Sequence, residues 1–176
     1  QRQPLRSGPA ALARLRAGET LQHEVVNQRR DGSLCRLKLR ECVVNLSDGQ
    51  RRIIVNAEDI TDLQQAAQQA QLQSTALESS VNAIMIVDSS GRITWVNRAF
   101  TSLTGYTEEE AVGQSPRLLK SGRHDAAFYR HLWTTVNRGE LWRGELVNRR
   151  KDGSLYLEEM IITPVLDAEG RVTHYI

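Results

Sequence analysis

Much is missing from this sequence, and each absence narrows the answer. Aromatic residues make up only 5% and hydrophobic residues 40% of 176 positions, the balance of an ordinary water-facing globular chain. No run of about 18 apolar residues occurs, so no segment is long and apolar enough to span a bilayer as a helix. Net charge is only +2, too small for a nucleic-acid surface or a polybasic membrane anchor. There are two cysteines, Cys35 and Cys42, and their odd spacing puts them on opposite faces of a strand, which disfavours a mutual disulfide. Neither has neighbours at metal-ligand spacing, so no metal site is expected. With no visible leader, a reducing cytoplasmic setting is the expectation. GxSxG, Walker, HExxH and zinc-type Cys–His patterns are all absent, as is any nucleophile–base set, so the chain is not expected to be an enzyme in its own right.

What is present is a repetition. "EVVNQRRDGSLCRLKL" (Glu24–Leu39) recurs without a gap as "ELVNRRKDGSLYLEEM" (Glu145–Met160), 121 residues later. The register holds outward, Gly18 meeting Gly139 and Gly49 meeting Gly170. Such a period is too long for a solenoid and reads as tandem domains. In each copy Asp-Gly separates two strand-like runs, a hairpin signal, and a second turn follows at Asp48-Gly49 or Glu169-Gly170. Each copy therefore ends in a three-stranded antiparallel meander.

The second copy carries more in front: an apolar run at Ala83–Val87, a turn, then Arg92–Asn97, which together make another hairpin. Short helices follow, one opened by a Thr107/Glu110 capping box. A longer one is capped by Asp125 and ends near Gly139. Within this sequence the first copy has only its last helix, Ala10–Ala17, and the meander. Between the copies, Thr61 and Gln64 form a further capping-box pattern, and Leu63, Ala70, Leu77 and Ile84 recur every seven residues. That segment reads either as a connector helix docking one apolar stripe or as a short parallel coiled coil.

This order of elements resembles the PAS domain family. "GRITWVNRAFTSLTGYTEEEAVG" (Gly91–Gly113) is similar to its front half and "NRRKDGSLYLEEMIITPVLDAEG" to its back half. "NAEDITD" (Asn56–Asp62) resembles the Asp-Ile-Thr signature that closes such a domain. The resemblance implies an α+β fold, a five-stranded antiparallel sheet with short helices on one face. It divides the chain into a partial PAS domain (1–61), a linker helix (62–79) and a second PAS domain (80–176).

Differences between the copies point to a site. Leu37 and Leu39 alternate with Lys38 and Arg40, so the leucines face inward. Their counterparts are Glu158 and Met160. A carboxylate there lies either on a cavity wall, where it needs a partner, or at a solvated rim. In light-sensing LOV domains, a PAS subgroup, amides at positions like Asn148 and Glu158 contact a flavin. Asn148 matches Asn27, so an amide stitching the sheet edge is the competing reading. Trp133 and Trp142 replace Leu12 and Leu21 and read either as walls for a flat cofactor or as core. With Met160, these are the candidate cofactor-binding residues.

The pattern "LW…W…LVNRRKD" resembles FAD-binding PAS domains of redox-sensing regulators, which makes FAD the candidate cofactor, a cofactor-free domain being the alternative. Cysteinyl-adduct photochemistry is excluded, because Pro116 stands where such domains carry cysteine, and the nitrogen-fixation type carries glutamate there. Haem is disfavoured: His131 and His124 lie on or near the long helix, but His131 is two positions from Trp133 and faces another side. Arg117, Lys120 and Arg123 could meet a pyrophosphate or simply lie in a solvated loop. The resemblance implies a homodimer formed through the linker helix and outer sheet face. It also implies relay to an output domain such as a histidine kinase or diguanylate cyclase.

Overall fold

A computed structural model of the chain describes residues 9–176. It divides between Gln71 and Leu72 into two compact units. Residues 1–8 of the expected first domain lie outside the described residues.

The first unit contains α1 (Pro9–Arg16), β1 (Leu21–Gln28), β2 (Leu34–Asn45), β3 (Arg51–Asp59) and the start of α2 (Thr61–Glu78). The strands form one antiparallel sheet in the order β1-β2-β3. Alternation along β2 follows the period-2 reading: Leu39 is buried and Leu37 half-buried, while Lys38 and Arg40 are exposed. Gly32 takes φ +89°, a conformation that disfavours a Cβ. The Asp31 carboxylate beside it accepts from the Ser33 N–H at 2.9 Å and its hydroxyl at 2.7 Å. Cys35 and Cys42 both lie on β2 and are free thiols.

Asp-Ile-Thr makes the turn from β3 into α2. Asp59 Oδ1 accepts from the Thr61 N–H at 3.0 Å and the Thr61 hydroxyl at 2.5 Å, and Oδ2 takes Arg29 Nη2 at 2.6 Å. These bonds, the Thr61 hydroxyl first and Arg29 next, hold the Asp59 carboxyl down at about 2. The expected Thr61/Gln64 capping box does not form. Thr61 is already the first helical residue, one position past the cap, and its hydroxyl is committed to Asp59 and the Arg36 N–H. The Gln64 amide instead reaches Glu24 at 3.0 Å. Among the described residues α2 has no buried side chain.

The second unit holds every Phe, Trp and Tyr of the chain. It begins with the hairpin β4 (Met85–Asp88) and β5 (Ile93–Val96). Then come α3 (Arg98–Thr104), α4 (Glu108–Ala111), a 3-10 turn at Pro116–Leu119, and α5 (Ala126–Asn137). β6 (Trp142–Arg149), β7 (Leu155–Ile162), β8 (Pro164–Leu166) and β9 (Val172–Tyr175) complete it. The strand order is β5-β4-β9-β8, with β6-β7 as a separate two-stranded ladder. The expected five-stranded sheet is therefore present with its fourth strand broken at Thr163, just before Pro164, whose nitrogen cannot donate. Thr163 bridges the break by exchanging backbone bonds of 2.8 and 2.9 Å with Ile176.

The caps behave as the sequence predicts for α4, where Thr107 and Glu110 form a full capping box, and for α5, capped by Asp125. Between sheet and helices lies a core that includes Val87, Ile93, Phe100, Leu132 and Val136.

One buried residue organises the front of this unit. Asn97 is 1% exposed and caps α3. Its oxygen accepts from Phe100 N at 3.0 Å and Ile84 N at 2.9 Å, and its amide donates to Leu77 O at 3.1 Å and Asn82 O at 2.9 Å. The last turn of α2, the lead into β4 and the start of α3 are thus fastened by one side chain.

Candidate functional site

The inner face of the β6-β7 ladder is fixed by register. Asn148 pairs with Tyr156 and Leu146 with Glu158, so Leu146, Asn148, Tyr156, Glu158 and Met160 share one face. Across from them stand α3, the 3-10 turn and α5. Sheet and helices border an open cavity of about 1220 Å³, above the ~300–1,000 Å³ of ordinary small-molecule sites. Phe100, Leu119, Leu132 and Met85 supply apolar wall, and Trp133 forms part of the helix side.

The polar part of the wall is compact. Asn148, 4% exposed, donates from Nδ2 to Glu158 Oε1 at 2.7 Å. Burial pushes the Glu158 carboxyl above the usual glutamate range, and the Asn148 bond opposes part of that rise. Beside them the Tyr156 ring lies under the Arg150 guanidinium, 4.6 Å from its centroid, and Arg150 is itself held by the Leu103 carbonyl at 2.8 Å. Burial first, and then the nearby Glu158 charge, push the Tyr156 hydroxyl up to about 12. Asn148 lies close enough to offset part of this, though no hydrogen bond of acceptable geometry reaches that hydroxyl. The Tyr129 hydroxyl, on α5, is also buried with no protein partner, while the Lys120 ammonium sits 4.6 Å over its ring.

Of the residues singled out from the sequence, Asn148, Glu158, Met160 and Trp133 all line this cavity. Trp142 does not. Its indole is buried in the core, edge-on to Phe128 at 5.7 Å and folded over Gly144. A Cβ at Gly144 would lie 2.7 Å from the ring, so the glycine two positions along the strand makes room for it. Its counterpart Leu21 is likewise buried.

The shared asparagines also part company: Asn27 is exposed and its side-chain oxygen accepts the following N–H, at 2.8 Å. Arg117 and Lys120 line the cavity and Arg123 does not. His131 is exposed, and His124 accepts the Val147 N–H at Nε2 (2.8 Å) while stacking on Phe128, so neither lines the cavity. Tyr156 and Tyr129 were not anticipated, although Tyr156 is two residues before Glu158 and Tyr129 one helical turn before Trp133. Among the described residues, no group of His, Cys, Asp and Glu could hold a metal ion.

An antiparallel sheet covered by short helices, with a cavity between them, defines an α+β module. The chain belongs to the PAS fold family, which it matches over residues 71–176. It is 39% identical over 102 residues to a nitrogen fixation regulatory protein from Klebsiella pneumoniae, covering 58% of this chain and 21% of that protein. It is 30% identical over 104 residues to the aerotaxis receptor of Escherichia coli strain K12, covering 59% and 20%. Among solved structures it resembles a light-oxygen-voltage domain from work on a flavin analogue. That match has TM-score 0.52 and 31% identity, over 57% of this chain and 77% of the other. The chain thus spans about a fifth of the length of these two curated relatives.

Proposed function

We propose that the Leu72–Ile176 unit is a sensor whose cavity holds a flavin, FAD by the resemblance of its motifs. In this reading its redox state is relayed through flanking helices to an output domain of a longer signalling protein, such as a histidine kinase or diguanylate cyclase. The observation that carries this reading is the polar wall. The buried Asn148 and the half-buried Glu158 form a pair on the wall of a cavity also lined by Tyr129 and Tyr156, whose hydroxyls meet no protein group. The polar atoms of the Asn148–Glu158 pair that meet no protein group suit a ligand with both donors and acceptors. A flavin ring edge has that mixed character, and the solved neighbour concerned with a flavin analogue supports the choice.

When bound, a flavin supplies reversible electron and proton exchange at its ring. The residues here bind and orient it. Asn148 keeps one N–H and its carbonyl oxygen for the ligand, and Glu158 keeps its second oxygen. Trp133 and Met160 offer apolar faces. The relatives named for nitrogen-fixation regulation and aerotaxis support a signalling role. Among the described residues no helix is long and apolar enough to cross a membrane.

The test is the visible absorption spectrum of the purified protein, before and after incubation with FAD. A bound flavin band supports the reading. A protein that stays colourless after reconstitution contradicts it.

A second reading, a ligand-free dimerisation and relay module, has its own support. The outer face of β7 exposes Leu157 and Ile161 to 66% and 51%, and α2 exposes Leu63 and Leu72 to 71% and 62%. A colourless protein whose sedimentation shows a dimer, lost on Leu157→Glu, favours that reading.

A further inference from the structure

The strand that carries Asn148 is closed along one edge by side chains. β6 is hydrogen-bonded to β7 on one side only. Its other edge is met by the segment 120–124, which leads into α5. An isolated antiparallel bridge pairs Lys120 with Asn148. At the next residue, Val147, both backbone groups are taken by side chains. The Ser121 hydroxyl donates to its carbonyl, and His124 Nε2 accepts its N–H at 2.8 Å. Gly122, at φ +82°, turns the chain between the two. The His124 ring is backed by Phe128, stacked at 4.2 Å, with Tyr129 edge-on at 6.3 Å. Phe128 in turn meets the buried Trp142.

An imidazole nitrogen that accepts a hydrogen bond carries no proton, so this contact requires the neutral ring with its proton on Nδ1. Among the described residues His124 makes no ion pair. The charges around it are directed elsewhere. Asp125 turns Oδ1 to the Phe128 N–H at 2.8 Å, and the Lys120 ammonium lies 4.6 Å over the Tyr129 ring. Arg123 is exposed, as are Glu145 and Arg149, which share the outer face of β6 with Val147. A protonated ring carries an N–H at both nitrogens. Nε2–H then faces the Val147 N–H, donor against donor, and the edge loses one of the two side-chain bonds that hold it.

We propose that His124 is a proton-operated latch. Neutral, it keeps the segment 120–124 on the edge of β6 and so positions Asn148, the neighbour of Val147, in the cavity wall; protonated, it lets that edge go. His124 does not line the cavity and is a positioning residue that acts through Asn148. Its consequence for ligand affinity, a loss as pH falls, rests on the flavin reading, whereas the latch itself is read without a ligand.

The test follows the isotope-labelled full chain by NMR from about pH 8 to about pH 5, the range in which histidine changes charge, for wild type and His124→Gln. Glutamine keeps an acceptor at about the place of Nε2 and takes up no proton there. In wild type at the upper end, the His124 proton is expected on Nδ1. The Val147 amide and the Asn148 side-chain amide signals are expected to move with the titration of the ring. In His124→Gln the Val147 signal should stay in place, and Asn148 should follow Glu158 alone. A proton on Nε2 at the upper end, a Val147 signal indifferent to the ring, or an Asn148 signal that behaves alike in the two proteins overturns the proposal. FAD titration at both pH values reads the consequence. Wild type is expected to lose about 3- to 10-fold more affinity on acidification than His124→Gln, since Glu158 titrates in both proteins and cancels from the comparison. An equal pH dependence of the two overturns the proposal. Should wild type bind no FAD at either pH, the flavin reading fails and the NMR signals decide the latch by themselves.

Discussion

Replacing Asn97 by alanine removes a single side chain from four hydrogen bonds. Two run from backbone N–H groups of Ile84 and Phe100 to its oxygen, and two from its amide to the carbonyls of Leu77 and Asn82. A typical intramolecular bond contributes about 0.5–1.5 kcal/mol net, so four sum to about 2–6 kcal/mol. Asn82 is exposed and water can reach its carbonyl, which favours the lower half of that range, whereas the Phe100 N–H is buried and loses its cap. About 3–4 kcal/mol is the expected cost, a large part of the roughly 5–15 kcal/mol that holds a domain folded. All three tryptophans lie in the second unit, so urea unfolding followed by tryptophan fluorescence reports on that unit alone. Ser102→Ala serves as control, since its hydroxyl only bonds back to the Arg98 carbonyl on the same helix, and it is expected to stay within about 0.5 kcal/mol of wild type. A loss below about 1 kcal/mol in Asn97→Ala would refute the view that this amide fastens α2, β4 and α3 together.

Three further outcomes follow from the same contacts. Gly144→Ala forces a Cβ to within 2.7 Å of the Trp142 ring and is expected to cost about 1–3 kcal/mol; an unchanged unfolding midpoint contradicts the placement of that indole. Glu158 holds its proton more tightly folded than unfolded, so its contribution is fully present below the ordinary glutamate range and declines as pH rises through it. Glu158→Gln keeps an acceptor for Asn148, removes that decline, and is expected to raise the neutral-pH midpoint; a pH profile identical to wild type contradicts this. Asp59 has the opposite sign. Depressed to about 2, it stabilises the first unit above the ordinary aspartate range and loses that contribution as pH falls through about 2. Asp59→Asn should flatten the acid limb of unfolding monitored by circular dichroism, and an unaltered limb argues against the Arg29–Asp59–Thr61 arrangement.

The 121-residue repeat made both meanders legible, because Asp-Gly turns and period-2 alternation are local signals that leave few alternatives. The same alternation gave Glu158 and Met160 leucine counterparts and left cavity wall or solvated rim open for Glu158, which the register of β6 and β7 decides. Trp142 was ambiguous for a physical reason. Strand periodicity places Trp142 and Asn148 on one face, but how far the helices stand off each position depends on tertiary packing and on the gap left by Gly144. Asn97 closes a predicted strand in the sequence, and its role as the cap of α3 and its other three partners depend on segments that share no sequence pattern with it. The Thr61/Gln64 pattern looked like a capping box because such motifs are blind to a one-residue shift, and Asp59 took the hydroxyl that the box required. Asn27 and Asn148 match in sequence and differ in burial, so the repeat carried the backbone faithfully and the environment of the side chain less so.

The central claim is that the polar wall of the large cavity meets a flavin through Asn148. It is tested most directly by FAD titration of wild type and Asn148→Ala, followed by quenching of flavin fluorescence, with folding confirmed by tryptophan emission. Removing an amide that has donor and acceptor capacity facing the ligand should weaken FAD binding by about tenfold or more. Saturable binding by wild type with that loss in the variant is the predicted result; equal affinity in the two proteins, or no binding by wild type, contradicts the account.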